Sequence, residues 1–193
     1  GARVQVVYEV LDLQEASKKP FHLYCCNKPI IDTAYFHVQI GHLLAAPSHY
    51  WDGPDDVETV KLHWEKFPAN WTLQNSFGFD KDQTIRLSNG QFGTGIFVGG
   101  DFRRYKFDVK GSPVYFVTRG NWSSFSDDTL SQLLRKTVEG HRAFWNDFSD
   151  SIYTVTFLPV DGAPYAKNDY FVSSGGSGLT NSFMSYATNN AGT

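Results

Sequence analysis

The sequence predicts a mainly β protein: a β-sandwich over residues 1–120, followed by a small α+β segment over residues 121–193. Three observations carry this. Aromatic residues make up 16% of the chain, and such rings suit pleated, half-buried surfaces. Short apolar runs recur about every 8–12 residues, punctuated by Gly, Asn, Asp and Pro, which is the spacing of a sandwich. A long helical stripe begins only past residue 120, where the composition changes.

The elements follow in order. Val4, Val6 and Tyr8 alternate with polar neighbours, and Phe21, Leu23 and Cys25 repeat the period. Tyr35 to Ile40 reads as a third strand. Val60, Leu62 and Trp64 alternate with Lys61, His63 and Glu65 in the cleanest half-buried pattern, and Trp71 and Leu73 resume it after a break. Tyr105, Phe107 and Val109, the turn at Lys110 and Gly111, and the run from Val114 to Thr118 form a hairpin signal. His49 to Asp56 (HYWDGPDD) reads as a loop, and Gly93-Thr94-Gly95 and Gly99-Gly100 as turns or bulges. Ser126-Asp127-Asp128 marks a helix start, with a capping hydroxyl and carboxylates at the positive end of the dipole. Leu130, Leu133, Leu134, Val138 and His141 continue at helical spacing, with Phe144 and Trp145 closing the stripe over residues 127–147. The β-branched run from Ile152 to Leu158 predicts a strand buried on both faces. From Pro159 to Gly178 the chain reads as loop.

Composition excludes several functions. With 17 basic and 20 acidic residues, net charge −3, there is no electrostatic footprint for nucleic acid. No run approaches the ~18 apolar residues of a membrane span. The only cysteines, Cys25 and Cys26, are adjacent and make no disulfide framework. None of the six histidines, His22, His37, His42, His49, His63 and His141, precedes a Glu or has a second His four residues on, so the zinc-hydrolase helix pattern is absent. His141 reads as a packed or boundary residue of the helix stripe. Gly175-Gly176-Ser177-Gly178 lacks the spacing of a serine-nucleophile elbow. The carboxylate pairs Asp55/Asp56 and Asp127/Asp128 read as a solvated loop and a helix start. Asn70-Trp71-Thr72 and Asn121-Trp122-Ser123 match the glycosylation acceptor pattern, and Tyr50 and Trp51 are candidates for a ligand contact or for local packing.

The order of elements after residue 120 is itself specific. A helix from Leu130 to Trp145 comes first, then the β run Tyr153-Thr-Val-Thr-Phe-Leu-Pro159, then the Gly-rich edge Gly176-Ser-Gly-Leu-Thr-Asn-Ser182. This resembles the entry into the catalytic domain of gluzincin metallopeptidases, above all the glycyl aminopeptidase family of PDZ-containing type, with the aminopeptidase N family more distant. Trp64-Glu-Lys-Phe-Pro-Ala-Asn-Trp71 and Tyr105-Lys-Phe-Asp-Val-Lys-Gly-Ser-Pro-Val-Tyr-Phe116 are similar to the strand-rich N-terminal domain of those proteins.

The resemblance implies that residues 121–193 are an incomplete piece of the first subdomain of a thermolysin-like catalytic domain. The chain would brace that domain and form one side of its substrate cleft. It implies that zinc and the H-E-x-x-H helix belong to a downstream segment, so that this chain holds no metal, has no catalytic residue of its own and is inactive alone. Its partners would be the downstream catalytic domain and an extended peptide. The substrate edge maps onto Gly178, Leu179, Thr180 and Asn181. Thr180 stands where the family has a glutamate for the substrate's amino terminus, and a hydroxyl cannot supply that charge-assisted bond. A start at Gly1 and the family habit fit a periplasmic or secreted protein. The alternative is a stand-alone β-sandwich binding module for carbohydrate or protein ligands.

Overall fold

The computed structural model describes residues 7, 9, 29–43, 57–122, 125–160 and 174–188. Most of the first two predicted strands, the paired cysteines, His22, the HYWDGPDD loop and residues 189–193 lie outside them. Val7 and Glu9 are described, and both are exposed.

Among the described residues, three sheets and one long helix make up the fold. The first sheet has the order β1-β2-β6-β4, from β1 (Ile30–Ile31), β2 (Tyr35–Gln39), β6 (Ile96–Gly100) and β4 (Thr72–Asn75). The second pairs β3 (Val57–His63) with β5 (Asp82–Ser88) in an antiparallel register of Val60 against Ile85. The third has the order β10-β11-β9-β8-β7, from β10 (Ser174–Leu179), β11 (Ser182–Thr188), β9 (Tyr153–Val160), β8 (Ser112–Thr118) and β7 (Arg103–Val109). Single-turn helices α1 (Ile40–Leu43) and α2 (Asn89–Phe92) connect strands, and α3 (Asp127–Trp145) is the long helix.

Apolar burial stacks these elements in layers. The β3–β5 pair packs on one face of the first sheet through Val38, Ile40, Ile85, Leu87 and Phe97. The other face meets the third sheet through Ile96, Val98, Phe102, Tyr115, Val117, Leu158 and Met184. On the far side of the third sheet, Val138 of α3 packs against Val109 and Val114. The layers explain the patterns. β3 has one solvated face and alternates. β6 is covered on both faces, and all five of its residues are buried, so it shows no alternation.

Several expectations change. Gly99 and Gly100 are not turn residues but the end of β6, paired with Phe36 and Tyr35 of β2. A Cβ on Gly99 would lie 2.4 Å from a ring carbon of Phe36 and 3.0 Å from Phe67. Gly99→Ala should therefore cost about 1–3 kcal/mol by overpacking. Urea unfolding measures it, and an unchanged midpoint would show that the rings give way freely. The Gly-rich segment read as loop is the strand β10, paired with β11 from Ser174–Ala187 to Leu179–Ser182. Its glycines admit neighbouring rings: a Cβ on Gly175 would sit 2.2 Å from Tyr186 Oη.

Residue 120 lies in the connection from β8 to α3, and the third sheet takes strands from both sides of it. β8, before it, pairs parallel with β9, after it, from Val114–Tyr153 to Thr118–Phe157. Hydrogen bonding thus joins the two stretches that composition separates. The helix start is as the sequence predicts. Ser126 caps α3 by accepting from Thr129 N, and Asp127 accepts from Arg103 (Nη2, 3.0 Å) and Tyr105 (Oη, 2.7 Å) of β7. Arg103 holds the Asp127 carboxyl below its usual range. Asn146 ends the helix in the left-handed region at φ 50°. The end of the predicted stripe differs: Phe144, Trp145 and His141 are exposed.

Candidate functional site

The four residues mapped as the substrate edge lie at the outer border of the third sheet. Gly178 and Leu179 end β10, the outermost strand, and Thr180 and Asn181 form the two-residue turn into β11. Gly178 is exposed, with no atom within 4 Å of where its Cβ would be. Leu179 packs toward the core between the first and third sheets. Asn181 takes φ 47°, a conformation Asn tolerates better than most residues, and its carbonyl accepts from Thr154 N at 2.9 Å.

The turn is tied to the first sheet's connections as well as to its own strands. Thr180 N donates to Thr94 O at 2.9 Å, and the two threonine hydroxyls lie 2.7 Å apart. Two residues on, Ser182 Oγ lies 2.9 Å from Ser76 Oγ, which in turn accepts from Ile96 N at 2.8 Å. Ser182 also donates to Thr180 O at 2.9 Å. The hydroxyl of Thr180 is therefore engaged with Thr94.

Polar contacts continue inward between the same two sheets. Gln74 Nε2 donates to Thr154 Oγ1 at 3.0 Å, and that hydroxyl donates to Asn75 O at 3.0 Å. His37 Nε2 lies 3.0 Å from Thr156 Oγ1. Burial pushes the His37 imidazole down to about 3, because a charged ring loses its hydration between the two sheets. Below the turn, Asn181 joins Asp80, Asp82, Arg86 and Gln91 in the wall of an open cleft of ≈ 400 Å³. Asp82 pairs with the exposed His63 and raises its pKa.

No sequence pattern marks Thr94 and Ser76 as anchors. Thr94 lies 86 positions from Thr180, inside a Gly-Thr-Gly stretch that reads as a turn. Pairing across such a distance leaves no local periodicity.

Among the described residues no three His, Cys, Asp or Glu groups come together in a metal-holding cluster. Of the described histidines, His37 is buried against Thr156, while His42, His63 and His141 are exposed. Most of the described aromatics around the first sheet are packed among themselves, while Phe144 and Trp145 of α3 form an exposed pair with ring centroids 5.0 Å apart. Phe36, Trp64, Phe67 and Trp71 pack against one another, edge to face at 78–89° for three of the pairs and stacked at 14° for Phe36 on Trp64. Tyr50 and Trp51 lie outside the described residues. Asn70 and Asn121 of the two acceptor patterns are both exposed. No helix among the described residues is long and apolar enough to cross a membrane.

The layered, mainly β fold is similar to part of a solved structure in the aminopeptidase N family. An aminopeptidase N family protein from Idiomarina loihiensis superposes with a TM-score of 0.62 at 16% sequence identity, over 83% of this chain and 26% of that one. Legionella pneumophila aminopeptidase A, solved in complex with aspartic acid, aligns at a TM-score of 0.43 and 14% identity, over 82% of this chain and 19% of its own. The chain thus spans about a quarter of the Idiomarina protein's length. No protein-family model and no curated protein matches the sequence.

Proposed function

We propose that the chain is the N-terminal portion of a gluzincin-type, zinc-dependent aminopeptidase-like protein, of the PDZ-containing glycyl aminopeptidase kind. In it the stacked sheets brace the catalytic domain, and residues 178–181 form one side of the substrate cleft. The observation that carries this reading is the double tie of the edge turn, Thr180 to Thr94 and Ser182 to Ser76. A sandwich that merely preceded a catalytic domain would have no need to hold that one turn. Held from behind, β10 presents its outer edge as a fixed strand that an extended peptide could join by backbone hydrogen bonds. Thr180, bonded to Thr94, is a positioning residue here. The described residues supply no metal ligand set, so zinc and its activated water would come from the downstream segment.

The test uses the full product of the natural gene, assayed on glycyl- and alanyl-p-nitroanilides with zinc and after chelation. Zinc-dependent release of p-nitroaniline is expected, and the 193-residue chain alone should release none. In the full product, Thr94→Val removes one hydrogen bond to the turn, worth about 1 kcal/mol. It should lower kcat/KM about fivefold with zinc content unchanged. A full product without zinc-dependent peptidase activity would sink the reading.

A further inference from the structure

Strand β5 has an open edge. Among the described residues it pairs with β3 alone, and no other backbone–backbone hydrogen bond joins residues 83–87 to the rest of the chain. Every second residue on that side therefore turns its N–H and C=O away from β3, as a template for a further strand. The edge forms one wall of the cleft of ≈ 400 Å³, and residues 82–86 line it consecutively. The opposite wall belongs to the third sheet: Ser151 and Ile152 lead into β9, and Asn181 lies in the turn before β11. Phe77 and Gln91, from connections to the first sheet, line it as well.

The two ends of this edge differ in charge. Asp80 and Asp82 line one end and Arg86 the other. Asp82 is engaged with His63, whereas Asp80 and Arg86 have no ion-pair partner among the described residues. Asp82, Thr84 and Arg86 share the exposed face of β5, while Ile85 on the other face is buried. Side chains directly opposed on neighbouring strands interact, and opposite charges there are favourable. A strand that matches β5 thus sets a basic side chain beside Asp82, a β-branched one beside Thr84 and an acidic one beside Arg86. Its two alternate side chains turn inward, toward Phe77 and Ile152, and are apolar.

We propose that the cleft is a docking site for an extended segment of a partner polypeptide, which adds to β5 as a third strand. The segment runs antiparallel to β5, as β3 does, because that pairing is slightly the more stable per residue. From its N-terminal side it reads acidic, apolar, β-branched, apolar, basic, and it spans about 13 Å from Arg86 to Asp82. β5 itself carries that order in Asp82, Thr84 and Arg86, so a second copy of this chain is the rival occupant. The third-sheet wall decides against it. A cleft of ≈ 400 Å³ takes one strand, but not the β3 strand and the packed layer that stand behind β5. Docking here needs no peptidase chemistry, and the cleft meets the substrate-edge residues only at Asn181.

Fluorescence anisotropy on the 193-residue chain tests the site. The probes are the peptide Glu-Val-Thr-Val-Lys, its reversal Lys-Val-Thr-Val-Glu, and Lys-Val-Thr-Val-Lys, each with fluorescein at the N-terminus and an amide at the C-terminus. The first should bind about tenfold more tightly than its reversal, which sets like charges opposite both ends of β5. Arg86→Glu should invert the choice at one end. This variant is expected to bind Lys-Val-Thr-Val-Lys about fivefold more tightly than Glu-Val-Thr-Val-Lys, a gain that an unfolded chain cannot show. With the first peptide bound to the parent chain, the β5 amides that face the cleft should exchange with solvent at least tenfold more slowly. Equal affinity for the first peptide and its reversal overturns the proposal, as does no binding of the first. Dimerisation without peptide, seen by light scattering and abolished by Arg86→Glu, also overturns it and gives the edge to a second copy.

Discussion

Phe97→Ala is expected to lower the unfolding free energy by about 3–5 kcal/mol. Phe97 is 1% exposed and lies on the central strand β6, where the β3–β5 pair meets the first sheet. It touches the cluster of Val38, Ile40, Ile85 and Leu87, and the Trp64 ring lies edge-on at 5.9 Å. Truncation removes the ring from two layers at once. The strands around it are hydrogen-bonded on both sides, to β2 and β4, so they cannot close over the hole. The loss compares with the whole stability of an ordinary domain, about 5–15 kcal/mol. Phe144→Ala in the same 193-residue chain should stay within about 0.5 kcal/mol, because that ring is 78% exposed. Urea unfolding of the two variants side by side checks both. Equal losses would mean that Phe97 sits in a yielding environment, contrary to its burial.

The contrast between these two phenylalanines also marks what a sequence can reveal. Val60 and Leu62 of β3 face inward, while Lys61 and His63 are exposed. Such a strand announces itself by alternation, because water selects one face and the core the other. β6 lies between two layers, so both faces are selected for apolar or small residues and the alternation disappears. Its two glycines then imitate a turn, although Gly99 is small because the Phe36 ring lies against it. β10 is hidden in the same way by glycines that admit the rings of Tyr186 and Phe183. The start of α3 is legible because capping is local, residue 126 to residue 129. The width of its buried stripe is not, since periodicity gives the spacing of apolar residues but not how many of them the sheet covers. Of the candidate site, the glycine-rich edge and its place after the helix and β9 are visible in the sequence. The anchors Thr94 and Ser76 depend on pairings 86 and 106 residues apart.

The second large effect is one of pH, and it arises at His37. The imidazole is fully enclosed between the first and third sheets, 3% exposed, with Thr156 Oγ1 as its side-chain hydrogen-bond partner at 3.0 Å. Burial lowers its pKa from 6.5 in the open chain to about 3. Between those values the unfolded chain binds a proton that the folded one refuses. Stability contributed by the neutral ring is therefore complete above about pH 6.5 and falls as the pH drops toward 3, by about 1.4 kcal/mol per unit. From pH 6.5 to pH 5 the loss is about 2 kcal/mol, and over the full interval about 5 kcal/mol. Hydrogen bonds hold the carboxyls of Asp32, Asp127 and Asp147 below the usual carboxylate range, so what they contribute is lost only at more acid pH than this first interval. His63, raised by Asp82, contributes in the opposite direction: what its pairing adds is present at low pH and lost as the pH rises. His37→Gln keeps a hydrogen-bonding group beside Thr156 but cannot charge. Its stability, though lower at pH 7, should stay nearly level between pH 6.5 and 5 while the parent chain falls. Parallel slopes in the two proteins would mean that the acid sensitivity comes from elsewhere, and that water reaches the His37 ring.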